Sequence, residues 1–412
     1  MLCTYNEGKV DIFEQMKNRY RSTPPPAPTQ EITKDNEKLT QWYLEHSFFR
    51  DFVYRNPDKK PGKEFSDALI VYDDTIIIIQ NKTQSSSRLN VDWAEKNLNE
   101  AIGQLNGSYR NIDKGLVTKF KNVFLNTEIS IDKSKHKFIY GIIVLAQEGE
   151  PYNPYPLIHE KMRPRYPYTV CSLNDLFIIA DRMDTAADFI TYFELRIDTL
   201  RQGKELLVND EISNMNTVAE FLPIILKEHL NSLAPEKQEK TIKLKKDQLT
   251  TRLKDREEYK YSLLIDDIIA RAHDKDPKYT DTVNNEGNKI SEIYGYLDRF
   301  RRINIGRKLL EAAIKSKTNN DKIIVHIQKP IKQVFIYLFT KLNRDDRREY
   351  LKILSVIAQK KYSLQKILSM ATEPIGMGGR SYDFLYLEKI MLKEGVDIPA
   401  AIWNDLPEIT GL

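Results

Sequence analysis

Residues 64–84 read EFSDALIVYDDTIIIIQNKTQ, and the run of four isoleucines limits the fold more than any other part of the chain. A continuous β-branched apolar run suits a strand buried on both faces. Yet this run ends in Gln80-Asn81-Lys82, and Asp67 stands at the entrance of the apolar run before it. Two strand-forming segments, Ala68–Tyr72 and Thr75–Ile79, flank Asp73-Asp74, which predicts a hairpin with a two-residue turn. In that register Tyr72 pairs with Thr75, and Asp67 lies across from Gln80. Cross-strand partners share a face with Cβ atoms roughly 4.5–5.5 Å apart, and the period of two brings Lys82 to the same face. A three-residue turn would slip the pairing by one and place Asn81 opposite Asp67.

A carboxylate, an amide oxygen and an ammonium gathered at one end of an apolar sheet suit a hard divalent cation and a phosphate. Such cations take oxygen ligands, often one or two carboxylates with water and substrate completing the shell. Asp67 offers the carboxylate, Gln80 the amide oxygen and Asn81 its backbone carbonyl. Protonated Lys82 is no metal ligand, but it can orient and help deprotonate an attacking water or offset charge growing on a phosphate. The chemistry this set fits is phosphodiester hydrolysis.

Asp67, a hairpin, then Gln80-Asn81-Lys82 resembles the signature of the restriction-endonuclease-like, or PD-(D/E)xK, nuclease superfamily, with Gln as in its Mrr-like branch. The resemblance implies a cation, Mg2+ or Mn2+, on Asp67, Gln80 and the Asn81 carbonyl, with Lys82 as the catalytic lysine. It also implies a further acid on the helix before the hairpin, assigned to Glu37 with Glu45 in reserve. The family's α-β-β-β-α-β core would cover roughly residues 32–180. Ala94, Leu98, Ile102, Leu105 and Tyr109 form the stripe of an amphipathic helix, and Lys137–Gln147 reads as another buried strand. Gln104 followed by Tyr109 is loosely similar to a helix motif of the RecB-like branch, with a spacing one residue longer.

At 412 residues, two or three domains are expected. The expected order is an N-terminal helix with a Pro-rich spacer (1–31), an α/β restriction-endonuclease-like core with a mixed sheet flanked by helices (32–205), and a mainly α-helical C-terminal domain (206–412) for recognition, partner binding or sensing. Helix caps are expected near Asn174 and at Asp184 or Thr185. With two cysteines and six scattered histidines, neither a disulfide framework nor a zinc cluster is available. No apolar run approaches 18 residues and no signal peptide is evident, so the expected setting is the cytoplasm, away from membranes.

Residues 237–256 hold 8 basic against 3 acidic residues, while the whole chain has a net charge of only +4. Lys243, Lys245 and Lys246 there, and Arg299, Arg301 and Arg302 within Tyr294–Lys308, are candidate phosphate contacts. Either block can equally be a solvated helix face. The loop Glu373–Arg380 is rich in glycine and suits an anion nest, although no Lys-Ser/Thr follows as in a phosphate-binding Walker loop.

The resemblance implies a Mg2+-dependent DNA endonuclease, with RNA also open as substrate. The layout is similar to effector nucleases of bacterial antiviral systems and to restriction enzymes, which would involve a protein partner. Cutting both strands with one site per chain implies a homodimer or larger. The alternatives are a catalytically silent nuclease fold that binds nucleic acid, since Gln80 brings less charge than Glu, and a structure-selective repair or recombination nuclease.

Overall fold

The computed structural model describes residues 26–29, 31–48, 52–55, 57–60, 63–84, 91–117, 119–122, 127–147, 155–156, 167–254, 258–272, 280–282, 287–316, 322–328, 333–363, 366–374, 382–388 and 406. The expected N-terminal helix, most of the Pro-rich spacer, most of 149–167 and most of the glycine-rich loop lie outside the described residues. The chain divides into two compact units, one within residues 24–256 and the other from residue 257 onward. Among the described residues no helix is long and apolar enough to cross a membrane.

The first unit runs α1 (Ile32–Phe48), β1 (Val53–Arg55), β2 (Asp58–Lys60), β3 (Lys63–Glu64), β4 (Ala68–Tyr72), β5 (Thr75–Gln84), α2 (Val91–Asp113), β6 (Lys119–Asn122), β7 (Thr127–Ser130), β8 (Phe138–Gln147), β9 (Tyr155–Pro156), β10 (Tyr168–Ser172), α3 (Leu173–Arg182), α4 (Ala186–Arg201), β11 (Leu207–Val208), α5 (Glu211–His229) and α6 (Pro235–Lys254). Its main sheet has the order β1-β4-β5-β8-β10. The β1–β4 and β4–β5 pairs are antiparallel, whereas β5–β8 and β8–β10 are parallel. The result is a mixed five-stranded sheet flanked by helices.

The isoleucine strand β5 sits at the centre, and Ile76, Ile77, Ile78 and Ile79 are all fully buried. Ile76 and Ile78 pack against Ala101, Leu105 and Tyr109 of α2. By alternation, Ile77 and Ile79 face the other side, where α1 lies against β5 and stacks Tyr43 on Phe177 of α3, ring centroids 4.7 Å apart. At Gly141 of β8 a Cβ would stand 2.7 Å from Leu105 Cδ1 and from Tyr109 Oη, so glycine is what lets α2 approach the sheet. The cap of α3 is Ser172, in a capping box with Asp175, rather than Asn174. Thr185 caps α4, as one of the two expected residues.

The expected boundary at residue 205 is corrected: the unit continues through α5 and α6. The cause is an ion pair between Arg196 of α4 and Glu211 of α5, both side chains fully buried. Tyr192 also donates to Glu211, while Arg196 donates to Thr169 Oγ1 and the Val170 carbonyl, each at 3.0 Å. Cutting between α4 and α5 would leave that guanidinium in the core without its carboxylate.

The second unit runs α7 (Tyr259–Ala272), β12 (Thr280–Thr282), α8 (Gly287–Gly295), α9 (Arg299–Lys315), β13 (Lys322–Gln328), β14 (Gln333–Phe339), α10 (Arg344–Tyr362), β15 (Lys366–Thr372) and β16 (Tyr382–Glu388). Helices predominate here as expected, but the unit also holds a five-stranded sheet of order β12-β16-β15-β14-β13 that the mainly α-helical expectation did not include. Val334, Ile336 and Leu338 of β14 pack with Leu351, Leu354 and Ala358 of α10. Arg344, Arg347 and Arg348 of α10 all donate to the fully buried Asp383 of β16. Helices α7 and α9 meet at Gly306, where a Cβ would fall 1.9 Å from the Tyr261 carbonyl oxygen.

Truncating Glu211 to alanine strands the Arg196 charge in the core, and we expect a loss of about 3–5 kcal/mol in urea unfolding. A chain ending at residue 205 is expected to lose cooperative unfolding altogether. A cooperative transition of undiminished midpoint in either variant would show that α5 is not part of this unit.

Candidate active site

The predicted two-residue turn is present, with Asp73 in the left-handed region at φ +51°. Tyr72 pairs with Thr75 and Ala68 with Ile79, so the register is the one that brings Asp67 across from Gln80. Strand β4 begins only at Ala68, while β5 continues to Gln84. Asp67 makes the transition: its N–H donates to the Ile79 carbonyl at 3.2 Å, and its Oδ2 accepts the Asn81 N–H. A carboxylate oxygen thus replaces the strand that has ended. Because N–H and C=O of one strand residue point to the same side, the Asn81 carbonyl also faces the Asp67 side. Gln41 of α1 fixes the hairpin from below, donating from Nε2 to the Asp67 carbonyl at 2.7 Å.

Alternation sorts the polar end of β5 into two faces. Asn81 and Thr83 turn to α1, where Thr40 Oγ1 lies 3.4 Å from Asn81 Oδ1 and Asn36 Nδ2 lies 3.3 Å from Thr83 Oγ1. Gln80 and Lys82 share the face of Asp67. Gln80 is only 5 % exposed. It borders an open cleft of about 510 Å3 with Asp67, Lys82, Glu37 and Glu64.

Of the two acids considered on the helix before the hairpin, Glu37 lines this cleft. The reserve, Glu45, does not: its buried carboxylate is held by both nitrogens that Arg55 of β1 presents. The acid that sequence reasoning passed over is Glu64 in β3, which the fold brings to the same cleft.

Burial is the main reason that the Asp67 carboxyl is pushed up to about 7. The Asn81 hydrogen bond opposes the rise, Glu37 and Glu64 add to it, and Lys82 opposes it. Glu37 is also raised, first by burial and then by Glu64. The cleft thus concentrates acids that repel one another, a field that a cation relieves. Among the described residues no three Asp, Glu, His or Cys side chains form a ready metal cluster. The donor set is instead a mixed one lining the cleft, comprising the Asp67 and Glu37 carboxylates, the Gln80 amide oxygen and the Asn81 carbonyl. All are hard oxygen donors, so the residues fit a Mg2+-type ion.

Lys82 reaches the cleft through a mostly covered side chain and pairs with Glu100 of α2, Nζ to Oε1 2.7 Å. Gln104, one helical turn on, also borders the cleft and lies 3.4 Å from the same Glu100 oxygen. Tyr109 does not join them. It is buried in the core, with its hydroxyl 3.2 Å from the Pro167 carbonyl.

The candidate phosphate contacts divide sharply. Lys243, Lys245 and Lys246 are exposed on α6, in the same unit as the cleft. Arg299 and Arg302 are corrected: they are 3 % and 0 % exposed, and both bind the buried carboxylate of Asp266, at 2.7 and 2.8 Å. Only Arg301 of that trio is exposed, 3.4 Å from Asp298. No protein-family model, curated protein or solved structure matches the chain.

A carboxyl whose folded value is raised contributes stability that is complete below its ordinary value of 3.8 and is lost as pH rises through about 7. The metal-free protein is therefore expected to lose thermal stability across that window, and Asp67→Asn to lose less. Added Mg2+ is expected to raise Tm more at about pH 8 than at about pH 5.5, because the ligand must be deprotonated. Identical pH profiles for wild type and Asp67→Asn would place the carboxyl outside the low-dielectric site.

Proposed function

We propose that the chain is a metal-dependent endonuclease that hydrolyses phosphodiester bonds of DNA, with the first unit as its restriction-endonuclease-like core. The observation that carries this reading is the convergence of Asp67, Gln80 and Lys82 on one cleft at the polar end of a hairpin whose isoleucines are fully buried. The order of helix, hairpin, helix and parallel strand supports it, as does the presence of Glu37 in the cleft.

In this reading Asp67, Glu37, Gln80 and the Asn81 carbonyl hold the ion. When bound, Mg2+ supplies Lewis-acid polarisation of the scissile phosphate and a readier nucleophile from water. Asp67 is kept in place by the Asn81 N–H, and Gln80 by the β5–β8 ladder, so neither needs to reorganise. Lys82 presents positive charge to the phosphate as negative charge grows on it. The exposed lysines of α6, which include Lys237 and Lys240 beside Lys243, Lys245 and Lys246, neutralise phosphates on either side irrespective of sequence. Restriction or antiviral defence is the proposed role, by resemblance of the Gln-x-Lys motif, and a homodimer would bring one site to each strand.

A catalytically silent binding module is the second reading, and the neutral Gln80 in place of an acid favours it. Incubation of the purified chain with plasmid and with single-stranded RNA, in Mg2+ or in EDTA, separates the two. Cleavage in Mg2+ that EDTA abolishes is expected, with RNA cleavage alone redirecting the substrate class. Binding without cleavage in any divalent ion would establish the silent module.

Asp67→Ala is expected to lower cleavage by about 10²–10³-fold or more, since it removes several kcal/mol of electrostatic stabilisation. Gln80→Glu should retain activity at low Mg2+, whereas Gln80→Leu should lose it. A fully active Leu variant would show that the amide is not a ligand. Reversing Lys243, Lys245 and Lys246 to Glu should weaken binding equally across DNA sequences and flatten the salt dependence by about 0.9 log unit per lost phosphate contact. Unchanged affinity and slope would assign that helix to solvent.

A further inference from the structure

Lys82 is a cation on a flexible four-carbon stem in a cleft that also holds Asp67, Glu37 and Glu64. Left alone, its ammonium would settle on the cleft carboxylates, since its charge already acts on both Asp67 and Glu37. It does not settle there. The Nζ lies 2.7 Å from Glu100 Oε1, on α2, across the cleft from α1. The lysine side chain is 13 % exposed and that of Glu100 is 55 % exposed, so the stem is covered and the charged head meets its partner at the cleft's rim. Gln104 Nε2, at 3.4 Å, is the second group on the same oxygen and lies one turn along α2.

Resting on the nuclease reading of the cleft, we propose that Glu100 is a positioning residue that draws Lys82 away from the cation ligands. Its carboxylate takes up the ammonium that would otherwise compete for the oxygens of Asp67 and Glu37. The lysine is thereby held where a phosphate entering from solvent meets it. A half-exposed ion pair is worth little in itself, so a phosphate exchanges for Glu100 at small cost. Glu100 thus sets the position of the lysine before substrate arrives without binding the metal or the substrate itself.

The proposal is tested with Glu100→Ala and Glu100→Asp in the full chain, without nucleic acid. Amine acylation of Lys82, followed by peptide mass mapping, reads whether Glu100 holds the ammonium. Calorimetric titration with Mn2+ alone reads whether the lysine competes for the ligands. In Glu100→Ala the acylation rate of Lys82 should change by at least about threefold and Mn2+ affinity should fall by about tenfold, with partial recovery of both in Glu100→Asp. Unchanged acylation, or changed acylation with unchanged Mn2+ affinity, overturns it. Both readouts are independent of cleavage, so a wild-type protein that binds Mn2+ but never cuts would sink the nuclease reading while this test still decides the role of Glu100.

Discussion

Everything in the candidate site depends on a mismatch in strand length. Strand β5 runs to Gln84, whereas its antiparallel neighbour β4 begins only at Ala68, leaving the side of β5 that β4 had covered open beyond Ile79. The Asp67 carboxylate takes the first vacated hydrogen-bond position by accepting the Asn81 N–H. That bond holds an acid in a place where burial and the neighbouring Glu37 and Glu64 push it up to about 7. Lengthening β4 by two residues would pair Asn81 conventionally, swing Asp67 away and close the cleft. The same mismatch leaves Gln80 lining the cleft, only 5 % exposed.

The two units treat buried charge differently from the cleft. Arg196 with Glu211 in the first, and Asp266 with Arg299 and Arg302 in the second, are opposite charges satisfied by one another in the core. Asp383 gathers three arginines in the same way. In these places removal of one partner damages the fold. At Asp67 the surplus is of like charge, offset in part by Lys82, and in the proposed function a cation from outside would balance it. This contrast separates structural ion networks from the candidate functional site more clearly than burial alone.

The hairpin was legible because a period of two and a two-residue turn fix its register without help from the rest of the chain. So was α2, whose Leu105 and Tyr109 are where the stripe predicts. The choice of Glu37 over Glu45 needed a distant residue, Arg55, that no local pattern connects to either. Glu64 and Glu100 carry no motif, and only folding brings Glu64 to the cleft and Glu100 to Lys82. The basic stretch around Arg299 misled because a run of arginines looks alike whether solvent or Asp266 receives it. The second sheet escaped notice for another reason. Segments such as Lys366–Thr372 and Gln333–Phe339 are short stretches rich in apolar residues, which periodicity alone cannot tell from buried helix.

In the proposed function Asp67, Gln80 and the Asn81 carbonyl form one cation site at the open end of β5. Crystals of the chain grown with Mn2+ test it directly through anomalous scattering. A single strong peak is expected in contact with Asp67 and the Gln80 amide oxygen, with Lys82 still turned toward Glu100. A peak elsewhere, or none at Mn2+ concentrations that support cleavage, would contradict it.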